Sequence, residues 1–156
     1  MNLELQRSHD LDYLNRMVNH PSIFPFIKDD TVTENVDLSA LDTNSNFLLK
    51  ALADGKEAGF FVLLATDNGI ELHSALLPEF RGKTAIDFGN LVISWTAKHT
   101  NYDKLTTWAW DFARNVIWAI KKVGFKEESR VDYPNTVNGK NALKINYSIN
   151  LSNIRN

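Results

Sequence analysis

Glu71-Leu72-His73-Ser74-Ala75-Leu76-Leu77-Pro78-Glu79-Phe80-Arg81-Gly82-Lys83-Thr84 is the stretch whose reading decides the fold. It reads as a strand, a basic turn containing glycine, and the start of a helix. Pro78 stops the strand because it lacks a backbone donor. The helix is expected from about Thr84 to Lys98, with Ala85, Phe88, Val92, Trp95 and His99 along one side. Thr84 and Asp87 have the spacing of a capping box. Such a junction gathers backbone N–H groups and the positive end of a helix dipole, so it can hold an anion.

Upstream, Phe47–Ala53, Ala58–Ala65 and Ile70–His73 are strand-length runs joined by Asp54-Gly55 and Asp67-Asn68-Gly69, which supply the positive φ angles of tight hairpins. The middle run is apolar on both faces, which predicts a sheet covered on both sides. Before it, Leu3 and Leu5 suggest a short strand, and Ser8 a cap for a helix bearing Leu11, Leu14 and Val18. His20–Ile27 carries two prolines and is expected to be an apolar loop, either packed on the domain or lying as a flap over a groove. Residues 28–46 read as polar loop or short helix, with Asp29-Asp30 either solvated or holding a cation.

Downstream, Lys104–Trp110 is β-prone, and a second helix is expected from about Phe112 to Lys122, ended by Gly124. Phe125–Tyr133 and the alternating Leu143, Ile145, Tyr147, Ile149 and Leu151 are strands flanking an Asn138-Gly139 turn. The expected order is β-α-loop-β-β-β-α-β-α-β-β: one α/β domain over residues 1–156, with a mixed central sheet covered by helices. The unit from Ile70 to Trp110 should be a parallel crossover, with a ligand site beyond its strand ends at residues 78–84.

The chain has 156 residues, 44% of them hydrophobic, so it can bury a sizeable core. A net charge of −2 excludes a global basic field for nucleic acid. The absence of cysteine excludes disulfides and thiolate zinc sites and fits a reducing compartment. The N-terminus lacks the apolar core of a signal peptide, and no apolar run is long enough to span a bilayer.

The element order and two local motifs resemble the GNAT acyltransferase superfamily. Pro78-Glu79-Phe80-Arg81-Gly82-Lys83 is similar to the family's strand-end motif, and Lys122-Val123-Gly124-Phe125 to its helix-end motif. The resemblance implies an acetyl-CoA site in which Arg81, Gly82, Lys83, Thr84 and Ala85 meet the cofactor's pyrophosphate. It also implies a general base on the strand, Glu71 or His73. Departures accompany it: Thr84 stands at the family's first motif glycine, and Ile86 at its last small residue. Ile120 stands at the Tyr that usually protonates the departing thiolate, and Ala113 at an Asn, with Asn115 nearby. Asp87 is expected in the first helical turn, neutralising the dipole.

A second resemblance is to small GNAT-like head-assembly proteins of tailed phages. It rests on His20-Pro21, Phe24-Pro25-Phe26-Ile27 and Asp29-Asp30, with Glu71-Leu72-His73 and Leu77-Pro78 through Lys83. It implies phage structural or assembly proteins as partners, and host cytoplasm or virion as the location. With the departures, it makes an assembly protein on a degraded acetyl-CoA site the leading expectation. The alternatives are an active N-acetyltransferase and a binder of another anionic ligand.

Glu71 and His73 lie two apart on a strand and so share a face. They are either catalytic or part of a solvated face, and no third ligand accompanies them for a metal. Arg81 and Lys83 either bind phosphate or form a solvated basic turn. Trp118, with Arg114 on the same helix, is a candidate partner contact; Trp108 and Trp110 share one face of their strand.

Overall fold

The structure is a computed structural model that describes residues 1–27, 29–32 and 35–155. Lys28, Thr33 and Glu34 of the polar stretch expected as loop lie outside the described residues. The strands are β1 (Leu3–Arg7), β2 (Phe47–Ala53), β3 (Lys56–Thr66), β4 (Gly69–Leu76), β5 (Lys104–Trp110), β6 (Lys126–Val137) and β7 (Lys140–Asn150). The helices are α1 (Leu11–Val18), α2 (Phe24–Ile27), α3 (Lys83–His99), α4 (Arg114–Lys122) and α5 (Ser152–Arg155). The expected order of strands and longer helices holds, and the short helices α2 and α5 are additions to it. The sheet runs β1-β2-β3-β4-β5-β7-β6, antiparallel except for the parallel β4–β5 pair.

The two faces of β3 go to two cores. Phe61 and Leu63 pack with Phe88, Val92, Leu105, Ile120 and Tyr147 on the side covered by α3 and α4. Phe60 and Val62 pack with Tyr13, Leu14, Met17 and Ile23 on the side covered by α1. This is why β3 reads as unbroken hydrophobicity while β7 alternates. A Cβ on Gly89 would lie 2.8 Å from Val123 Cγ1, so this glycine sets how closely α3 approaches the end of α4.

Local caps differ from the sequence expectation. α1 is capped by Asp10, whose carboxylate accepts from Tyr13 N at 3.1 Å, while Ser8 Oγ accepts from Asp10 N at 3.0 Å. The Thr84–Asp87 capping box does not form. The N-cap of α3 is Gly82, at φ 74°, with no side-chain cap bond. The reason lies upstream: a 3-10 turn over Pro78–Phe80 leads the chain into Gly82, which starts the helix early. Asp87 therefore falls beyond the first turn, which carries no acidic residue, and the expected neutralisation of the dipole is corrected.

The Asp29-Asp30 pair is also resolved. The Asp30 carboxylate accepts from the amides of Asn138 at 2.8 Å and Gly139 at 2.7 Å. Its own amide donates to Thr136 O at 2.9 Å, so Asp30 latches the loop after α2 onto the tip of the β6–β7 hairpin.

Candidate active site

β4 and β5 pair at only two positions, Ile70 with Leu105 and Glu71 with Thr106. Beyond them, β4 stays paired with β3 as far as Leu76, and β5 stays paired with β7 as far as Trp110. Each strand follows its antiparallel neighbour, so the two halves of the sheet part and leave a wedge between them. Backbone groups facing the wedge have lost a strand partner. Thr107 Oγ1 donates to Leu72 O at 2.9 Å near the narrow end, and Arg81 Nε donates to Leu76 O at 3.0 Å at the wide end. By the alternation of a strand, Ser74 between them points its own amide and carbonyl into the wedge.

At the wide end stands the start of α3. The first helical bond runs from Ile86 N to Gly82 O at 3.3 Å, so the amides of Lys83, Thr84 and Ala85 have no acceptor within the helix. A Cβ on Gly82 would meet nothing within 4 Å, so the backbone there is open. Lys83 is exposed; Thr84, Ala85 and Ile86 are half-buried. Open amides, a helix dipole without an acidic residue in its first turn, and the Lys83 ammonium form an arrangement that accepts a phosphate group. Arg81 has a second task. Its Nη2 donates to Ser22 O at 2.7 Å, tying the segment before α2 to the end of β4.

Glu71 and His73 point to the sheet face opposite α3 and α4, because Ile70 and Leu72 between and beside them enter the α3–α4 core. His73 Nε2 lies 3.2 Å from Glu71 Oε1. Their side chains are 38% and 25% exposed, half-shielded at the narrow end of the wedge. The bond from His73 holds the Glu71 carboxyl below the usual glutamate range, with the charges of His73 and Lys144 adding to it and burial opposing it. A carboxyl lowered in the folded state contributes stability above its unfolded value and loses it as pH falls through the folded one. The stability difference between the wild type and Glu71→Gln is therefore expected to be present near pH 5 and to shrink below about pH 4. Urea titrations across that range would check it. A difference that grows as pH falls would contradict the pairing.

Trp108 and Trp110 share the Glu71–His73 face. Their rings meet edge-on with centroids 5.0 Å apart. Trp110 also stacks on Phe112 at 6.4 Å and meets Tyr133 edge-on at 5.8 Å. Lys144, directly across from Trp110 on β7, sets its Nζ 4.6 Å from the centre of the Trp108 ring. Lys144 and Tyr133 were not singled out in the sequence. The polar alternation of β7 marks Lys144 as outward, but only strand pairing brings it beside the tryptophans.

The structure separates the remaining candidates from this site. Ile120, at the position of the thiolate-protonating Tyr, is 9% exposed and lies in the α3–α4 core. Trp118 is 46% exposed and Arg114 is exposed, both on α4.

No family model and no curated sequence matches the chain. Solved structures do match it over nearly the whole length. The spermidine N-acetyltransferase from Vibrio cholerae in complex with CoA and spermine superposes with a TM-score of 0.82 at 18% identity, covering 99% of this chain and 98% of that one. A chimera of the Vibrio cholerae enzyme and hSSAT gives 0.82 at 16% identity, covering 100% and 99%. The spermidine/spermine N-acetyltransferase SpeG from Vibrio cholerae in complex with manganese ions gives 0.75 at 17% identity, covering 97% and 94%. These neighbours are acetyltransferases. They overturn the expectation of a phage head-assembly protein, to which none of them corresponds. The α/β architecture, with its parted β4–β5 pair, is the GNAT fold.

Proposed function

We propose that the protein is an N-acetyltransferase that moves an acetyl group from acetyl-CoA to an amine. The observation that carries this reading is the wedge. An extended pantetheine-like chain laid between β4 and β5 can pair with Ser74 as a strand would, its diphosphate reaching the amides of Lys83–Ala85 and its thioester end reaching Glu71 and His73. One departure that spoke against a cofactor loses force: Asp87 does not oppose the dipole. The expected capping box does not form either, so Thr84 leaves the amides at the helix start uncapped. One neighbour of this fold is in complex with CoA.

The bound thioester supplies an electrophilic acyl carbon; the chain supplies the rest. Glu71 accepts a hydrogen bond from Nε2–H of His73 and stays ionised, which leaves Nδ1 of the neutral ring as the lone-pair base. Nδ1 removes one proton from the acceptor ammonium, and Glu71 stabilises the imidazolium that results. The freed amine attacks the acyl carbon, a C–N bond forms and the C–S bond breaks. The second nitrogen proton ends on the sulfur by way of water, since Ile120 is buried and has no proton to give. Ser74 and the start of α3 hold the donor in line, and their contribution is to position it.

Calorimetry with acetyl-CoA, paired with a thiol-release assay, tests the reading. Micromolar binding is expected, weakened by at least about tenfold in Lys83→Glu, which sets a carboxylate against the phosphates at the helix start. Heat silence at millimolar acetyl-CoA would overturn it.

A further inference from the structure

The sheet face that carries Glu71 and His73 has a charge pattern that bears on the choice of acceptor. Glu71 sits in register with Thr106, and the next positions along this face are Trp108 and Trp110, with Lys144 opposite Trp110. One anion, one cation and an aromatic surface thus line one side of the sheet. Among the described residues, three other carboxylates near this face each have a partner. Glu128 pairs with Lys104 and accepts from Ser148 Oγ at 2.7 Å. Asp30 is bonded to the hairpin tip, and Asp111 Oδ1 accepts from Leu143 N at 3.4 Å.

A polyamine needs carboxylates spaced along its length to match its ammonium groups. Here it would bring a second ammonium against the Lys144 ammonium and the aromatic wall, where like charges repel. Lys144 held over Trp108 is instead suited to receive an anion, and Trp108, Trp110 and Tyr133 to cover an apolar group. We infer that the acceptor is an amphoteric amine of the α-amino-acid class with an aromatic or large apolar side chain. Its ammonium would face Glu71–His73, its carboxylate Lys144 and its side chain the tryptophans. This rests on the acetyltransferase reading for its chemistry, though not for its binding.

The test compares L-phenylalanine, phenethylamine and spermidine, read both as acetyl transfer and as equilibrium binding by calorimetry. Phenethylamine keeps the ring and the amine but lacks the carboxylate. In the wild type, phenylalanine should exceed each of the other two by about tenfold or more, the effect of one charge-assisted bond. Lys144→Glu should remove that advantage over phenethylamine, and Lys144→Gln, which keeps the packing on Trp108, should remove most of it. Equal or better use of spermidine by the wild type would overturn the inference. So would a loss in the Lys144 variants shared equally by phenylalanine and phenethylamine. If no amine is acetylated yet phenylalanine binds with the expected preference, the acceptor inference stands and the acetyltransferase reading fails. If phenylalanine does not bind, the acceptor inference is overturned whatever the transfer assay reports.

Discussion

His73→Ala is expected to lower kcat/KM for acetyl transfer by about 10²- to 10⁴-fold, the usual contribution of a positioned base. KM for acetyl-CoA should stay nearly unchanged, because the proposed anchoring of its diphosphate is at residues 83–85, at the wide end of the wedge. The imidazole lies 3.2 Å from Glu71 and is half-shielded, so it can meet both that carboxylate and an incoming ammonium. Glu71→Gln removes the charge that stabilises the imidazolium but keeps a hydrogen-bonding neighbour, so it should cost less than His73→Ala. Steady-state kinetics on both variants decide the roles. A His73→Ala enzyme with wild-type turnover would return both residues to a solvated sheet face.

Gly59→Ala is expected to destabilise the fold by about 3–5 kcal/mol, combining an unfavourable backbone angle with overpacking. Gly59 has φ 152°, and a Cβ there would lie 2.0 Å from Ala75 O and 2.9 Å from Leu76 Cα. Both obstructing atoms are backbone, and they belong to β4, so neither can swing aside. Gly59 O also accepts from the buried Tyr13 hydroxyl at 2.7 Å, which ties α1 to β3. Any shift of Gly59 that relieves the clash strains this bond as well. Gly55 serves as the control. Its φ is 79°, but a Cβ there meets nothing within 4 Å, so Gly55→Ala should cost about 1 kcal/mol. Urea unfolding of both variants separates the steric effect from the conformational one. Equal losses would contradict the close approach of β3 to β4.

The stretch from Glu71 to Thr84 was legible because its signals are local. Pro78 ends a strand, Gly82 allows a turn, and the 3.6-residue spacing of Ala85, Phe88 and Val92 makes a helix. Gly124 shows the same legibility: at φ 107° it ends α4, as its place after a helical run implied. The cap of α3 was misread for a local reason too. Thr84 and Asp87 have the right spacing, but a 3-10 turn that spacing does not reveal brings Gly82 into the N-cap position. That shift by two residues changed the sign of the electrostatic argument about the site.

Other features had no local signal. The segment around Phe24 was expected as an apolar loop; it contains a short helix tied to β4 through Arg81 and Ser22. An adjacent aspartate pair looked solvated or cation-binding, and Asp30 proved to be a latch onto a turn more than a hundred residues away. The assembly role expected from short phage-like patterns came from similarity of pieces, and the likeness of fold over the whole chain is to acetyltransferases instead.

From the amino-acid sequence alone came the identity and order of the seven strands and of α1, α3 and α4, the two-sided burial of β3 and the shared face of Glu71 and His73. These depend on periodicity and turn chemistry, which neighbouring residues carry among themselves. Only the tertiary structure decided that β4 and β5 part after Glu71 and Thr106, that the amides at the start of α3 stay open, and that Lys144 stands over Trp108. Those outcomes are set by which strands each edge follows, and that competition between distant pairings leaves no mark on any one segment.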